Sequence, residues 1–272
     1  AAQLTENRRQ YEAWERNALK LIREGDARAA LTEYADKNRL HVFTDDETAR
    51  EKLVSAWMES RTDDLTDTLI LTSTNDDASL VNRLVQRKRQ QEGEVEVSHG
   101  VRVAGETFFV GDRILFTRND GVLGVNNGNL GTIEAVARNS LSVRLDGQEI
   151  RQGLWTRPTR VKFTTKEYSD ILLGYALTTH KAQGATCERA FVLGNTGMQD
   201  RELSYVQLSR ARESTHIFLS EEQAGEDLTA FAWALKRSGQ QKLIHDLTPR
   251  PKEEDKLDSL VKTLGVFGFA VR

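Results

Sequence analysis

Residues 175–194 read YALTTHKAQGATCERAFVLG: two apolar runs joined by a segment crowded with polar, donor-rich side chains. The run ending at Leu177 and the run Ala190–Leu193 both have the composition of buried strands. In a parallel α/β sheet, ligands gather at the carboxyl ends of the strands. Thr178, Thr179, His180, Lys181 and Gln183 therefore stand where donors would meet a ligand, and Gly184 allows close backbone approach. Such a set suits phosphates, whether of a nucleotide or of a nucleic-acid backbone. A polar turn that satisfies its own backbone is the plain alternative.

The flanking sequence sets this stretch in an α/β chain. Tyr11, Trp14, Ala18, Leu21 and Ile22 recur at helical spacing up to Gly25, and Asp26 can cap an alanine-rich helix ending near Tyr34. LHVF (40–43) reads as a strand, and Thr44 with Glu47 has the pattern of a capping box ahead of Leu53, Val54 and Trp57. DTLILTS (67–73) is a second buried strand, followed by NDD as the cap of a helix bearing Leu80, Val81, Leu84 and Val85. Downstream come a helix over 201–212, the strand THIFLS (215–220) and a helix over 227–237. This alternation predicts a parallel, doubly wound sheet flanked by helices. Between 95 and 163 the texture changes to frequent glycine, short alternating strands and hairpin turns such as NDG and NNGN, which predicts a small inserted β-barrel. The expected division is thus 1–94 and 164–247 for one α/β domain, 95–163 for the insert, and 248–272 for a linker and tail helix.

Composition narrows the class without deciding it. The chain has 272 residues, a net charge of -3 and one cysteine, Cys187, which excludes an internal disulfide and a Cys-rich zinc site. No run approaches the roughly 18 apolar residues of a membrane span, so a cytoplasmic protein without a membrane partner is expected. Residues 151–166 concentrate Arg151, Arg157, Arg160, Lys162 and Lys166 with no acid. Such a stripe can track phosphates or simply face water; charge alone leaves both open.

Two further polar clusters carry chemistry. In RELSYVQLSRAREST (201–215), Tyr205, Val206, Leu208 and Ala211 make an apolar helical face, while Gln207, Arg210 and Ser214 share another. An arginine held that way has the geometry of a finger that stabilises a transferring phosphoryl group. A surface arginine paired with Glu202 or Glu213 is the alternative. LTENRRQ (4–10) sets Arg8, Arg9 and Gln10 just ahead of the first helix.

In order along the chain, LTENRRQ, YALTTHKAQGAT and SYVQLSRAR resemble motifs IV, V and VI of superfamily 1 helicases, within the RecD-like group that includes the conjugative TraA and TraI relaxase-helicases. FFVGDRILFTRNDG…NNGNLGTI is similar to the SH3-like barrel that group inserts before motif V, and the resemblance covers about residues 3 to 220. It implies a RecA-like second motor domain in which Arg9 and Arg210 reach the γ-phosphate of ATP. Thr179 and His180 would face the DNA backbone, with Arg157, Arg160 and Lys162 extending that contact, while Gln183 and Gly184 would couple it to the nucleotide. Thr186 stands where many members place a ribose-binding glutamate, as in the conjugative subgroup, and Ser209 replaces the commoner threonine.

No G-x-x-x-x-G-K-[ST] occurs in the sequence, nor any Gly-Lys pair, and LHVFTDDE reads as plain structure instead of a metal-binding strand. ATP and Mg²⁺ are therefore expected to be held mainly by an N-terminal motor domain of the same polypeptide, with this chain a piece of a longer protein and inactive alone. The implied function is 5′-to-3′ helicase action on single-stranded DNA within the conjugation machinery. The alternative is a non-catalytic module, derived from a helicase, that binds single-stranded DNA or a partner.

Overall fold

The computed structural model describes residues 9–62, 64–147 and 160–238, and the chain clusters into two units, Ala1–Arg237 and Ser238–Arg272. The elements below belong to the first. The tail helix expected beyond residue 248 lies outside the described residues.

Helix α1 (Ala13–Glu24) ends where Gly25 takes a left-handed φ of 88°. There Gly25 N donates to Ile22 O and Asp26 N to Leu21 O, the paired bonds that close a helix at glycine. Tyr11 stays outside α1 and is 63% exposed. Asp26 caps α2 (Ala27–Asp36) by accepting from Ala29 N at 3.2 Å. After β1 (Leu40–Phe43) comes α3 (Asp46–Ser60), whose cap is Asp45 and not Thr44. The Asp45 carboxylate accepts from Thr48 N at 2.7 Å and Thr48 Oγ1 at 3.1 Å, which holds its pKa below the ordinary value. A carboxylate at a helix N-terminus outcompetes a neighbouring hydroxyl because its charge also meets the helix dipole. Strand β2 (Thr68–Thr72) is buried throughout, and α4 (Asn75–Gln91) is capped by Thr74, one residue ahead of NDD. Val81 and Val85 are buried, but Leu80 is 43% exposed.

Seven antiparallel strands follow: β3 (Glu96–Val103), β4 (Glu106–Val110), β5 (Arg113–Phe116), β6 (Leu130–Ala137), β7 (Ser140–Leu145), β8 (Arg160–Thr164) and β9 (Ile171–Leu173). They pair as a β3–β4 ladder and a sheet ordered β8-β7-β6-β5-β9. Antiparallel pairing continues to Leu173, past the boundary expected at 163. The chain then returns through β10 (Ala176–Thr178), β11 (Cys187–Leu193), α5 (Arg201–Leu208), β12 (Ala211–Ser220), α6 (Glu221–Ala224) and α7 (Thr229–Lys236).

The second sheet has the order β1-β12-β11-β2-β10, with every neighbouring pair parallel. Alternation along its strands feeds two cores. Leu69, Leu71, Val192, Ile217 and Leu219 pack in one with residues of α1, α2 and α7. Ile70, Phe191 and Phe218 pack in the other with residues of α3, α4 and the antiparallel strands. This is the expected α/β architecture. No helix among the described residues is long and apolar enough to cross a membrane.

A buried polar junction ties the antiparallel strands to β10. Tyr175 Oη donates to Asp112 Oδ1 at 2.7 Å and receives Arg89 at 2.9 Å. The Asn82 side chain accepts from Tyr175 N and Ala176 N and donates to Ala176 O, so α4 satisfies backbone beside this edge strand.

Glu15, on the core face of α1, is wholly buried, and burial lifts its pKa to about 7 despite the opposing influence of Thr215, Arg39 and Tyr34. The folded chain thus keeps a proton that the unfolded chain releases above its ordinary value of 4.5, so stability falls as pH rises from there through 7. Glu15→Gln is expected to stabilise the protein by about 3 kcal/mol at pH 8, with little change at pH 4.5. Thermal unfolding at the two pH values checks this; equal gains at both would contradict it.

Candidate functional site

The strand order makes the segment after β10 do unusual work. Thr178 lies at the carboxyl end of the parallel sheet, whereas Cys187 opens β11 at the amino end, level with Ala211 of β12. Residues 179–186 must therefore cross from one end of the sheet to the other while passing β2. Parallel crossovers usually take a dozen or more residues and a helix. Here tight turns suffice: Ala182 N donates to Thr178 O, Gln183 N to His180 O, and Ala185 N to Ala182 O. Gly184 has a φ of 88°, which a residue bearing a side chain rarely adopts. Ala182 is buried and anchors the crossover in the core.

At the carboxyl end, the expected donors divide. Thr179 is 1% exposed, and both its backbone N–H and its hydroxyl donate to Thr72 O. It extends the strand pairing and locks the loop, so its hydroxyl is not presented to a ligand. His180 and Gln183 are exposed. Lys181 Nζ donates to Asn75 Oδ1 at 3.1 Å, at the start of α4.

At the amino end, three distant segments converge. Arg210 Nε donates to Val206 O at 2.8 Å, and its NH1 to Ala185 O at 3.3 Å, in the crossover itself. Arg9 NH1 donates to Ser209 O at 2.7 Å, and Gln10 Nε2 to Ala211 O at 2.8 Å. Burial first, and Arg9 second, hold the Arg210 pKa below its ordinary value. The two guanidiniums are thus near neighbours, and among the described residues Arg210 forms no ion pair with a carboxylate. Glu213 pairs with Arg189 and Glu202 with Arg201, so neither serves Arg210 as the alternative required. A corner of like charges, partly desolvated, favours an incoming anion. Burial pushes the thiol of Cys187 beside it up to about 12, which disfavours the thiolate.

Arg210 does not sit on the helix as the spacing suggests. α5 closes at Leu208 with Ser209 as its C-cap, Arg210 occupies the turn, and Ser214 is buried within β12. Pairing of Ala211 with Cys187 draws the chain into the sheet before another helical turn can form. Behind the turn lies a buried polar latch that sequence alone does not reveal. Ser73 Oγ donates to Gln199 Oε1 at 2.7 Å, while Gln199 Nε2 donates to Ser204 Oγ at 2.8 Å and Gln207 Oε1 at 2.7 Å. It fastens the carboxyl end of β2 to α5. Gln207 stands out in the motif, but Gln199 sits in a loop with no periodicity, and only the fold buries it.

The basic stripe is not gathered to the same place. Arg157 lies outside the described residues. Arg160 and Lys162 are exposed on β8, the edge of the antiparallel sheet opposite β9, with β7, β6 and β5 between. Arg160 is engaged by Glu134 at 2.6 Å.

The chain is 34% identical over 213 residues to the conjugal transfer protein TraA of Agrobacterium fabrum (strain C58), covering 77% of this chain and 18% of that protein. It is 35% identical over 119 residues to the ATP-dependent RecD2 DNA helicase of Deinococcus radiodurans, covering 42% and 15%. The crystal structure of a Bacteroides Pif1 helicase in complex with ADP-AlF3 and ssDNA superimposes with a TM-score of 0.49 at 19% identity, over 79% of this chain and 51% of that one. No family profile matches the chain. The chain belongs to the superfamily 1 helicases. Its place among them is the RecD-like group, with the conjugative TraA and TraI proteins. It spans about a fifth of the length of the TraA relative it matches.

Proposed function

We propose that the chain supplies the second RecA-like motor domain of an ATP-dependent DNA helicase, one that moves 5′ to 3′ along single-stranded DNA within a conjugative DNA-transfer protein. The observation that carries this is the crossover 179–186, which touches Arg210 through Ala185 at one end of the sheet and exposes His180 at the other. Arg9 and Arg210 face the γ-phosphate of ATP, where phosphoryl transfer builds negative charge on the phosphate oxygens. The pair suits a polyphosphate, because two neighbouring guanidiniums gain more from an anion than either gains alone. An N-terminal motor domain of the same polypeptide holds most of the nucleotide and its Mg²⁺.

Gln183 and Gly184 sit in the middle of the crossover and couple the two ends. Gly184 supplies the left-handed turn, and Gln183 the exposed polar group beside it. The antiparallel strands between α4 and β10 correspond to the SH3-like insert of the family. The protein works in the cytoplasm, where the strand to be transferred is available.

A labelled oligothymidine titration tests the DNA half of this proposal. The chain is expected to bind with Kd no tighter than about micromolar, weakening steeply with salt, because phosphate contacts dominate and half the groove is supplied elsewhere. His180→Ala is expected to weaken binding further, and Lys20→Ala on α1 to leave it unchanged. No binding at low salt, or a His180→Ala variant that binds like the parent, would contradict the proposed contact between the strand and the exposed end of the crossover.

A further inference from the structure

A second concave surface lies at the β1 edge of the parallel sheet, away from both ends of the crossover. It is a cleft of about 590 Å³ between β1, β12 and α3, within the size range of small-ligand sites. Its floor is aromatic. His216 stacks against His41 with centroids 5.7 Å apart and planes 8° from parallel, and Phe43 stacks against Phe218 at 6.2 Å and 9°. His41 and Phe218 are cross-strand partners, so these rings occupy one face of neighbouring strands. Its rim is cationic: Lys37, Arg39 and Lys52 line it against a single acid, Glu59.

The imidazoles are held as neutral rings. Arg39 NH1 bonds to His216 Nε2, and a guanidinium can only donate, so that nitrogen accepts and the His216 proton sits on Nδ1. Nδ1 in turn faces His41 Nε2 at 3.4 Å. Burial, with Arg39 second, lowers both histidines, His216 to about 4. The positive charge is thus confined to the rim, while the floor offers uncharged π-faces.

That division of labour matches one kind of ligand. An acidic peptide would use the rim and leave the rings uncovered, and an apolar segment would leave the cations without partners. A nucleotide uses both, because its base stacks on aromatic faces while its phosphate meets lysine and arginine. We propose that this cleft is a second nucleotide-binding site, in which His41 and Phe43 on the edge strand receive an unpaired base and Lys37, Arg39 and Lys52 receive its phosphate. The ligand is a nucleobase carrying a phosphate, delivered as part of a single strand. The inference stands on the chemistry of the cleft and does not depend on where the strand meets His180.

Photocrosslinking of the full chain to oligothymidine bearing 5-iododeoxyuridine, followed by peptide mapping, tests it directly. Crosslinks within residues 37–43 or at His216 are expected; crosslinks confined to the 179–186 crossover would overturn the proposal and leave the motor reading intact. In a parallel titration, Lys37→Glu with Lys52→Glu is expected to weaken oligonucleotide binding about tenfold. It is also expected to reduce the salt slope by about 1.4, for two lost phosphate contacts on a single strand. An unchanged affinity and slope in a variant with parental thermal stability would overturn the proposal. Thymidine monophosphate forms the third arm. Chemical-shift changes at His41 and His216 are expected with the oligonucleotide; changes with the mononucleotide alone, or with neither, overturn it. Displacement of the oligonucleotide from the cleft by polyglutamate of equal charge would also overturn it, because rim charge without the rings would then suffice.

Discussion

Purified alone, the 272-residue chain is expected to hydrolyse no ATP above background, with or without single-stranded DNA. Phosphoryl transfer needs a backbone cradle and lysine around the β- and γ-phosphates and carboxylates or hydroxyls that hold the metal. No phosphate-cradle motif occurs in this sequence, and what Arg9 and Arg210 bring to their corner is two guanidiniums. Two guanidiniums can stabilise charge that develops on a phosphoryl group held elsewhere. They cannot position a nucleotide in line with water or bring the metal to it. Phosphate release measured over hours, with oligonucleotide present, checks the expectation. DNA-stimulated turnover by the purified chain would show that it carries a complete site.

In the full-length helicase proposed above, Arg210→Ala is expected to lower kcat by about 10³-fold or more, the range of arginine fingers. ATP affinity is expected to change far less, because the proposed split site leaves most ground-state contacts to an N-terminal motor domain. The size of the loss follows from how firmly the side chain is held. Val206 O and Ala185 O fix the guanidinium from two elements, so its orientation is set before any anion arrives. Arg210→Lys is expected to recover little, since one ammonium cannot reach both carbonyls and also meet the phosphate in the same geometry. Arg9→Ala is expected to act in the same direction, since Arg9 is anchored through Ser209 O next to Arg210. Steady-state hydrolysis at saturating ATP and DNA separates the effects; a parental kcat for Arg210→Ala would make it an ordinary surface arginine.

Much of the α/β frame is legible because its signals are local. Gly25, Asp26 and the buried run Thr68–Thr72 each act within a few residues, and each does what its chemistry suggests. Where sequence misleads, a non-local contact decides. Arg210 reads as helical by its spacing to Gln207, yet pairing of Ala211 with Cys187 pulls it into a turn. Thr179 reads as a free donor, yet β2 lies alongside and Thr72 O takes its hydroxyl. The latch through Ser73, Gln199 and Ser204 is invisible before folding, because three unremarkable polar residues become one network only when β2 and α5 meet. The caps differ for a smaller reason: Asp45 and Thr74 lie one residue from the expected signals, and competition between adjacent acceptors settles such offsets. For the antiparallel region, turn chemistry shows that strands are present but not how they pair. That is why Ile171–Leu173 joins β5 beyond the expected boundary.

The most direct measurement of a split nucleotide site is complementation in trans. The N-terminal motor domain that the proposal requires is produced separately and mixed with this chain, and DNA-stimulated ATP hydrolysis is followed as the chain is titrated in. Turnover is expected to rise and saturate with the parental chain and to stay at the N-terminal domain's own rate with Arg210→Ala. Equal stimulation by parent and variant, or full turnover by the N-terminal domain without this chain, would contradict the assignment of Arg210 to the ATP site.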